Sequence, residues 1–502
     1  MRRAFFGMAA SIGASLLAAC TVGPNFRPPA ADTPADWTAL KAPVSPAPGS
    51  VVTATALADA AWWKSFDDPE LSSLVERALA ANIGAKRAVL RIEEARAERR
   101  IAAAAAWPTL DATAGYTDTR LSERTATSSV FGALSGASKG SPPPGVAAAI
   151  PGLANPFSQY QYGLTSSWEI DLFGRVRRSV EAANADTAAA TADRDAVRVA
   201  LMAEVAAAYI DLRGAQARLA VTRDSVETSK TLLKLASDAR AAGLGDDLDI
   251  ANARAVLAGA QAALPPLGNE VATDQSQLEL LLAAKPGTLE AELDAARAIP
   301  PLPAQVPVGL PSELARRRPD IREAEAELLG ATARQSVAVA SLYPTLTLNL
   351  AAGLEASDTA SLAAWAARYM ILGPSLDLPI FDAGRRQETV HIADVHAKEA
   401  ALTYAQAVLG ALHEVDDAIT AYDQEQSRRQ SLETAVSEGG RALGLAERRY
   451  RAGSVSFRDV LDAQHILEQS ELALTASTAA ASEDLVTLYK ALGGGWEAGS
   501  AG

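Results

Sequence analysis

The 502-residue chain is nearly free of cysteine, poor in aromatic residues, and carries no long apolar run beyond its first twenty residues. Each shortage excludes something. Cys20 is the lone cysteine, so no disulfide can form within the chain and no spare thiol is left for nucleophilic chemistry. Stability must come from packing or from association of several copies. A transmembrane helix needs about 20 consecutive apolar residues, and none follows the N-terminal segment. Positive charge is also short. The formal net charge of −14 argues against nucleic acid as a partner. The four histidines, His391, His396, His413 and His465, have no zinc spacing, and no phosphate-binding glycine loop or nucleophile elbow occurs. No catalysis, metal or cofactor is therefore expected. Aromatics make up only 5% while alanine is abundant, which suits long, closely approaching helices better than one thick core.

The N-terminus reads as an export signal. Arg2 and Arg3 precede an apolar stretch from Ala4 to Leu17, too short to remain as a membrane span. Leu17-Ala18-Ala19-Cys20 then matches the bacterial lipoprotein processing box. Residues 1–19 are expected to be removed, and Cys20 to carry lipid. Thr21, not Asp, follows it, which is the pattern of outer-membrane sorting. A single acyl chain binds membranes weakly, so a second membrane contact is expected. Residues 20–61 form the linker behind the anchor.

The rest of the chain repeats itself. Ala242-Gly243 and Ala452-Gly453 stand 210 residues apart, as do Gly174-Arg175 and Gly384-Arg385. Upstream, Trp107-Pro108-Thr109-Leu110 matches Tyr343-Pro344-Thr345-Leu346 at a longer offset. The first copy therefore carries about 26 extra residues, placed in the Ser-, Gly- and Pro-rich stretch 121–158. The two copies span 62–285 and 312–492, with a tail at 493–502. A proline-rich linker, 286–311, lies between them and cannot be helical throughout. Each copy predicts a helix, a strand pair, a very long helix, a turn and a returning helix. In the first copy the opening helix is expected from Asp68 to Ala106, the long one over 176–242 and the returning one over 246–285. In the second they are expected from Ser312 to Ala340, over 385–451 and over 457–492. Leu201, Val205, Ala208, Leu212, Ala215 and Leu219 step by four and three, a coiled-coil seam. The Pro265-Pro266 pair should interrupt the first returning helix.

The strand pairs, expected over 109–119 with 160–172 and 345–354 with 369–381, alternate apolar and polar residues. Tyr160, Tyr162, Leu164, Trp168 and Ile170 oppose Gln161, Thr165, Ser167, Glu169 and Asp171. Leu372 and Leu376 oppose Gly373, Ser375 and Asp377. Such segments of about ten residues mark a transmembrane β-barrel. A soluble sheet with one buried face looks the same locally. The lipid anchor and the tyrosines near strand ends favour the membrane, and Glu169, Asp171 and Asp377 then face the lumen. Four strands are too few to close a barrel, since the smallest single-chain barrels have about eight. Several copies must share one.

At this point the residues resemble a known family. Cys20-Thr21-Val22-Gly23-Pro24-Asn25-Phe26, Trp62-Trp63, Ser167-Trp168-Glu169-Ile170-Asp171-Leu172-Phe173-Gly174-Arg175, Arg317-Arg318-Pro319-Asp320-Ile321 and Asp459-Val460-Leu461-Asp462-Ala463-Gln464 are similar to TolC-like outer-membrane efflux proteins of the NodT-type lipoprotein branch. The resemblance implies a mixed α and transmembrane β fold. It implies a homotrimer whose 12-stranded β-barrel, four strands per chain, continues as a periplasmic α-helical barrel. It further implies a periplasmic adaptor and an inner-membrane resistance-nodulation-division pump as partners, with outer-membrane lipid around the barrel. The expected function is passive conduction of small toxic compounds to the exterior. The alternative is a structural coiled-coil lipoprotein that braces the envelope without transport.

Two turns would form the periplasmic tip, and Ala242, Gly243, Leu244, Ala452, Gly453 and Ser454 are the candidate adaptor contacts. Helix capping alone also accounts for the glycines. Asp246, Asp249, Asp459 and Asp462 are candidate pore-entrance acids, since threefold symmetry turns each into a ring that favours cations. Asp246 and Asp247 equally suit a helix start. Arg316-Arg317-Arg318-Pro319-Asp320 reads as a helix start, not a binding patch.

Overall fold

A computed structural model describes residues 21–29, 33–41, 50–55, 61–119, 157–243 and 245–495. The signal at 1–19, Cys20, Leu244 and most of the stretch 121–158 lie outside them. The chain divides into two compact units, one built on residues 96–185 and 329–398 with the segment up to Phe26, the other on 27–95, 186–328 and 399–502. Among the described residues no helix is long and apolar enough to cross a membrane.

The first unit contains a four-stranded antiparallel sheet. Its strands are β1 (Thr109–Thr119), β2 (Phe157–Ile170), β3 (Thr345–Ala356) and β4 (Arg368–Asp377), side by side in that order. Directly paired residues in a ladder share a face. The register therefore sorts the side chains. Tyr162, Leu354 and Arg368 stand in one row, and Trp168, Leu348 and Pro374 in another. Leu110, Ala112, Ala114, Tyr116, Leu164, Ile170, Leu346, Leu350, Met370, Leu372 and Leu376 share that face. Thr109, Asp111, Thr113, Gln161, Thr165, Ser167, Glu169, Thr347, Asn349, Ser375 and Asp377 share the other. Exceptions to this split include Asp118, Ser158, Ser166 and Arg368 on the apolar face and Ile371 on the polar one. Among the described residues β1 and β4 have no second neighbour, and their residues are largely exposed on both faces.

The ends of two strands differ from expectation. β2 begins at Phe157 and ends at Ile170, so Asp171 and Leu172 lie beyond it; β4 runs Arg368–Asp377, so Leu378 and Ile380 lie outside the sheet. The physical reason at β2 is a carboxylate. Asp171 accepts from the Arg177 backbone N–H at 3.0 Å and closes the corner into the next helix. The segment Thr21–Phe26 is fastened to this corner. The Val22 N–H donates to Phe173 O at 3.2 Å, the Ser336 hydroxyl to Pro24 O at 2.9 Å, and the Arg178 guanidinium to Asn25 Oδ1.

The main helices are α1 (Pro69–Ala81), α2 (Ile83–Ala104), α3 (Arg175–Ala241), α4 (Asp247–Ala262), α5 (Leu264–Leu281), α6 (Pro319–Ala340), α7 (Arg385–Arg451) and α8 (Phe457–Ala491). Both long helices, α3 and α7, have 67 residues, about 100 Å at 1.5 Å per residue. Each follows a glycine of the same conformation, Gly174 and Gly384, both at φ 86°. The opening helix of the first copy is two helices, not one. Asn82 breaks it: its side chain accepts from the Ala85 N–H and donates to Leu281 O at 2.8 Å. The returning helix is also two, divided at Ala263, because a proline pair at 265 and 266 removes the donors a continuous helix needs there. Ahead of α6, Arg318 is extended, as the residue before a proline prefers, so the helix expected from Ser312 starts afresh at Pro319.

The second unit has its core around a fully buried stretch of α3. Met202, Tyr209, Ile210, Leu212 and Arg213 are all inaccessible. The Tyr209 hydroxyl donates to Asp68 at 2.9 Å, and Trp62 stacks on Tyr489 with ring centres 5.3 Å apart. Arg213 reaches into the proline-rich linker, donating to Ala295 O at 2.9 Å, while Gln216 donates to Leu293 O at 2.7 Å. A short parallel pairing of Val51–Thr53 with Gln305–Pro307 ties the linker to the N-terminal segment. Trp37, 2% exposed, donates its indole N–H to Gly309 O.

One polar cluster in this unit should respond to pH. Burial, then the neighbouring Asp211 and Glu270 charges, push the Asp274 carboxyl up to about 6. Burial, then a shared hydrogen bond with Asp211, push Glu483 up to about 7. Arg218, paired with Glu270 at 2.6 Å, opposes both shifts. Acids whose folded pKa is raised stabilise the fold below their unfolded pKa, and that contribution is lost as pH rises through the folded value. Thermal stability is expected to fall between pH 5 and pH 8, with Glu483→Gln flattening the dependence. A melting profile in detergent with the same slope for wild type and variant would refute this.

Candidate functional site

The two turns lie at one end of the second unit. Leu232 and Ala236 of α3, Ala253 of α4, Leu443 of α7, and Phe457 and Val460 of α8 form one apolar cluster beneath them. Each turn is built the same way. Gly243 at φ 75° donates to Arg240 O, and Gly453 at φ 69° donates to Tyr450 O. These left-handed conformations are cheap only for glycine. Ala242, Gly243, Ala452, Gly453 and Ser454 are exposed. The Ser454 hydroxyl and N–H both satisfy the Arg449 carbonyl.

The acids divide by task. Asp246 caps α4, accepting from the Asp249 N–H at 3.0 Å. Asp247 pairs with Arg240 at 3.0 Å, and that hydrogen bond holds its carboxyl below the usual range. Asp459 accepts from the Ser456 N–H and hydroxyl at the start of α8, which lowers its pKa in the same way. Asp462 stands 3.8 Å from Arg458. Asp249 and Asp462 line opposite walls of one open groove of about 730 Å³ between α4 and α8, with Asn252, His465 and Glu468. Tyr450, packed on the apolar cluster, feels the Asp249 charge. Burial first, then the Asp249 and Asp246 charges, push its phenol up.

On the sheet, Glu169 lies on the polar face and makes a two-pronged pair with Arg175; Asp171 pairs with Arg177 at 3.2 Å. Both arginines open α3. Asp377 is the last residue of β4, on the polar face opposite Thr345. Tyr369 lies across the same face, accepting from Gln161 at 2.9 Å. Sequence reasoning missed two features, the buried Arg213 and the fastening of residues 22–25. The signal for the first is slight, an arginine and a glutamine three apart beside an apolar seam. The second has no local signal, because its partners are more than 140 residues away in sequence.

Comparison with known proteins places this geometry. The family described as outer membrane efflux protein matches residues 74–284 and 310–494. The chain belongs to that family. It is 32% identical to outer membrane protein OprJ of Pseudomonas aeruginosa, across 99% of this chain and 98% of that protein. It is 30% identical to nodulation protein T of Rhizobium leguminosarum, across 98% and 94%. Among solved structures, the outer-membrane channel OprN superposes with a TM-score of 0.82 at 33% identity, covering 95% of this chain and all of that one. The open state of the MtrE channel of Neisseria gonorrhoeae gives 0.78 at 27% identity. The fold is that of the TolC-like outer-membrane channels, and the chain is an outer-membrane efflux component of NodT type. The comparisons support a duct, not a brace. The sheet has one mainly apolar and one mainly polar face, the pattern of a membrane barrel strand set.

Proposed function

We propose that three copies share one 12-stranded barrel and one helical shaft, and that this duct passively carries small toxic compounds from a periplasmic adaptor and an inner-membrane resistance-nodulation-division pump to the exterior. The observation that carries it is the sheet: four strands with one apolar and one polar face, open at both edges. In lipid such edges leave backbone groups unpaired, and only closure removes them. Cys20 bears the lipid. Its support is the fastening of Val22, Pro24 and Asn25 to the corner below β2, which holds the anchor at the foot of the sheet. The exposed Ala242-Gly243 and Ala452-Gly453-Ser454, together with Leu244, which lies outside the described residues, meet the adaptor. The chain performs no catalysis of its own. Relatives are named for toluene, solvent and antibiotic efflux, which supports compounds of that kind as cargo.

Asp249 and Asp462, on the walls of one groove, are the acids placed at the entrance; Asp246 and Asp459 serve mainly as caps. Purified protein in planar bilayers should conduct and prefer cations. Asp249→Lys should lower the cation-to-anion permeability ratio severalfold, and Asp459→Lys less. A trimer that never conducts, even with its tip loosened by substitution, would refute the duct. Unchanged ion preference in Asp249→Lys would remove the entrance role while leaving the duct intact.

A further inference from the structure

The two free sheet edges carry opposite charges at the same end. Asp118 stands near the end of β1, and Arg368 opens β4. Both are exposed, and both side chains fall on the lipid-facing side. Arg368 makes no ion pair among the described residues; its guanidinium stacks on Trp365. Asp118 receives one hydrogen bond, from Ser158 at 3.2 Å. β1 and β4 also run in opposite directions, so β4 of one copy can extend antiparallel along β1 of the next.

We propose that β4 closes against β1 of the next copy with Arg368 directly opposite Asp118 of the partner subunit, an ion pair at the rim that sets the register of barrel closure. The inference rests on the trimeric reading above. Three facts select this register. Side chains must keep their faces, so even-numbered residues of β4 must meet even-numbered residues of β1. With Arg368 opposite Asp118, every residue of the ten-residue β4 finds a partner, ending with Asp377 opposite Thr109. Sliding β4 two residues one way leaves its Asp377 end without a strand partner; sliding it the other way carries Arg368 past Thr119, the last described residue of β1.

The third fact is the slope. Ladder partners lead from Thr109 to Ser167, Asn349 and Gly373. The proposed pairing then lands on Thr113 of the partner subunit, a climb of four residues per copy. At about 3.3 Å per residue and about 4.8 Å between strands, that is a tilt of roughly 35°. Membrane barrels tilt by about 35–45°. A climb of two residues gives roughly 19°, well outside that range, and a climb of six roughly 46°, just above it.

The test uses full-length protein in outer membranes, with paired cysteines and a short bis-methanethiosulfonate cross-linker. Asp118→Cys with Arg368→Cys should give the highest yield of covalent dimer and trimer, several-fold above Asp118→Cys with Met370→Cys or Tyr116→Cys with Arg368→Cys. A higher yield from either shifted pair would overturn the register. In parallel, Arg368→Asp should lower the heat-resistant trimer fraction several-fold, and adding Asp118→Arg should restore it. If Arg368 instead holds a lipid phosphate, the double variant will fare no better than the single one, which would overturn the ion pair. Wild-type protein that runs as a monomer would end the trimeric reading itself, a result distinct from a trimer that cross-links in another register.

Discussion

Gly353→Val should leave little or no assembled barrel, whereas Gly373→Val should be tolerated. Gly353 and Gly163 face each other across the β2–β3 ladder, on the polar face of the sheet. A Cβ at Gly353 would press on the Tyr162 carbonyl oxygen and lie 2.7 Å from Gly163 Cα. Both obstacles are main chain, so no rotamer change relieves them. Overpacking typically costs about 1–3 kcal/mol, and rigid backbone on both sides places this case at or above the upper end. Tyr369 depends on the same trough, since its hydroxyl would sit 2.8 Å from a Cβ at Gly163. At Gly373 nothing lies within 4 Å of a Cβ. The readout is the heat-resistant oligomer band from outer membranes. Equal bands for Gly353→Val and wild type would show that the glycine pair is not required.

The second large effect is expected at Arg213. The side chain is fully buried, donates to Gln216 Oε1 at 2.7 Å and Ala295 O at 2.9 Å, and lies over the Tyr209 ring. Its charge also faces Glu70, whose carboxyl is pushed up first by burial and drawn down by Arg297 and Arg213. Arg213→Ala removes volume, strands the Ala295 carbonyl and leaves Glu70 with one fewer counter-charge. Breaking a buried charged network in this way costs about 3–5 kcal/mol. Arg213→Met restores the volume without the charge and should lose roughly half as much, because apolar replacement of buried ions is often mild. The expected signature is early cleavage of the 286–311 linker by protease as urea is raised. A midpoint for Arg213→Ala within error of wild type would contradict the clamp.

What the sequence discloses is set by period. Alternation in β2 and β3 and the repeated Gly-Arg and Ala-Gly pairs are local patterns, so they read directly. The boundaries are less legible because side chains decide them. Asn82 looks like any polar helix residue until its amide is seen bonded to Leu281 O. Asp171 continues the alternation of β2 in sequence, yet its carboxylate serves the Arg177 N–H and ends the strand one residue earlier. At the tip, the acid-rich turn announces itself, but only packing separates Asp249 and Asp462, on facing walls, from Asp459, which caps its own helix. Arg213 is invisible in the same sense, since a charge in a helical seam carries no mark of the linker carbonyls it will meet.

The bond from Val22 to Phe173 also limits how far the proposed anchor can wander. Cys20 precedes Val22 by two residues, and an extended chain advances at most about 3.6 Å per residue. The attachment point of the lipid proposed on Cys20 is therefore leashed to within roughly 7 Å of the corner beneath the sheet. A leash so short works as a depth gauge. In the proposed lipidated trimer, any vertical shift of the barrel in the bilayer would drag three sets of fatty chains with it, so the lipid would fix how deep the duct sits as well as keep it in place.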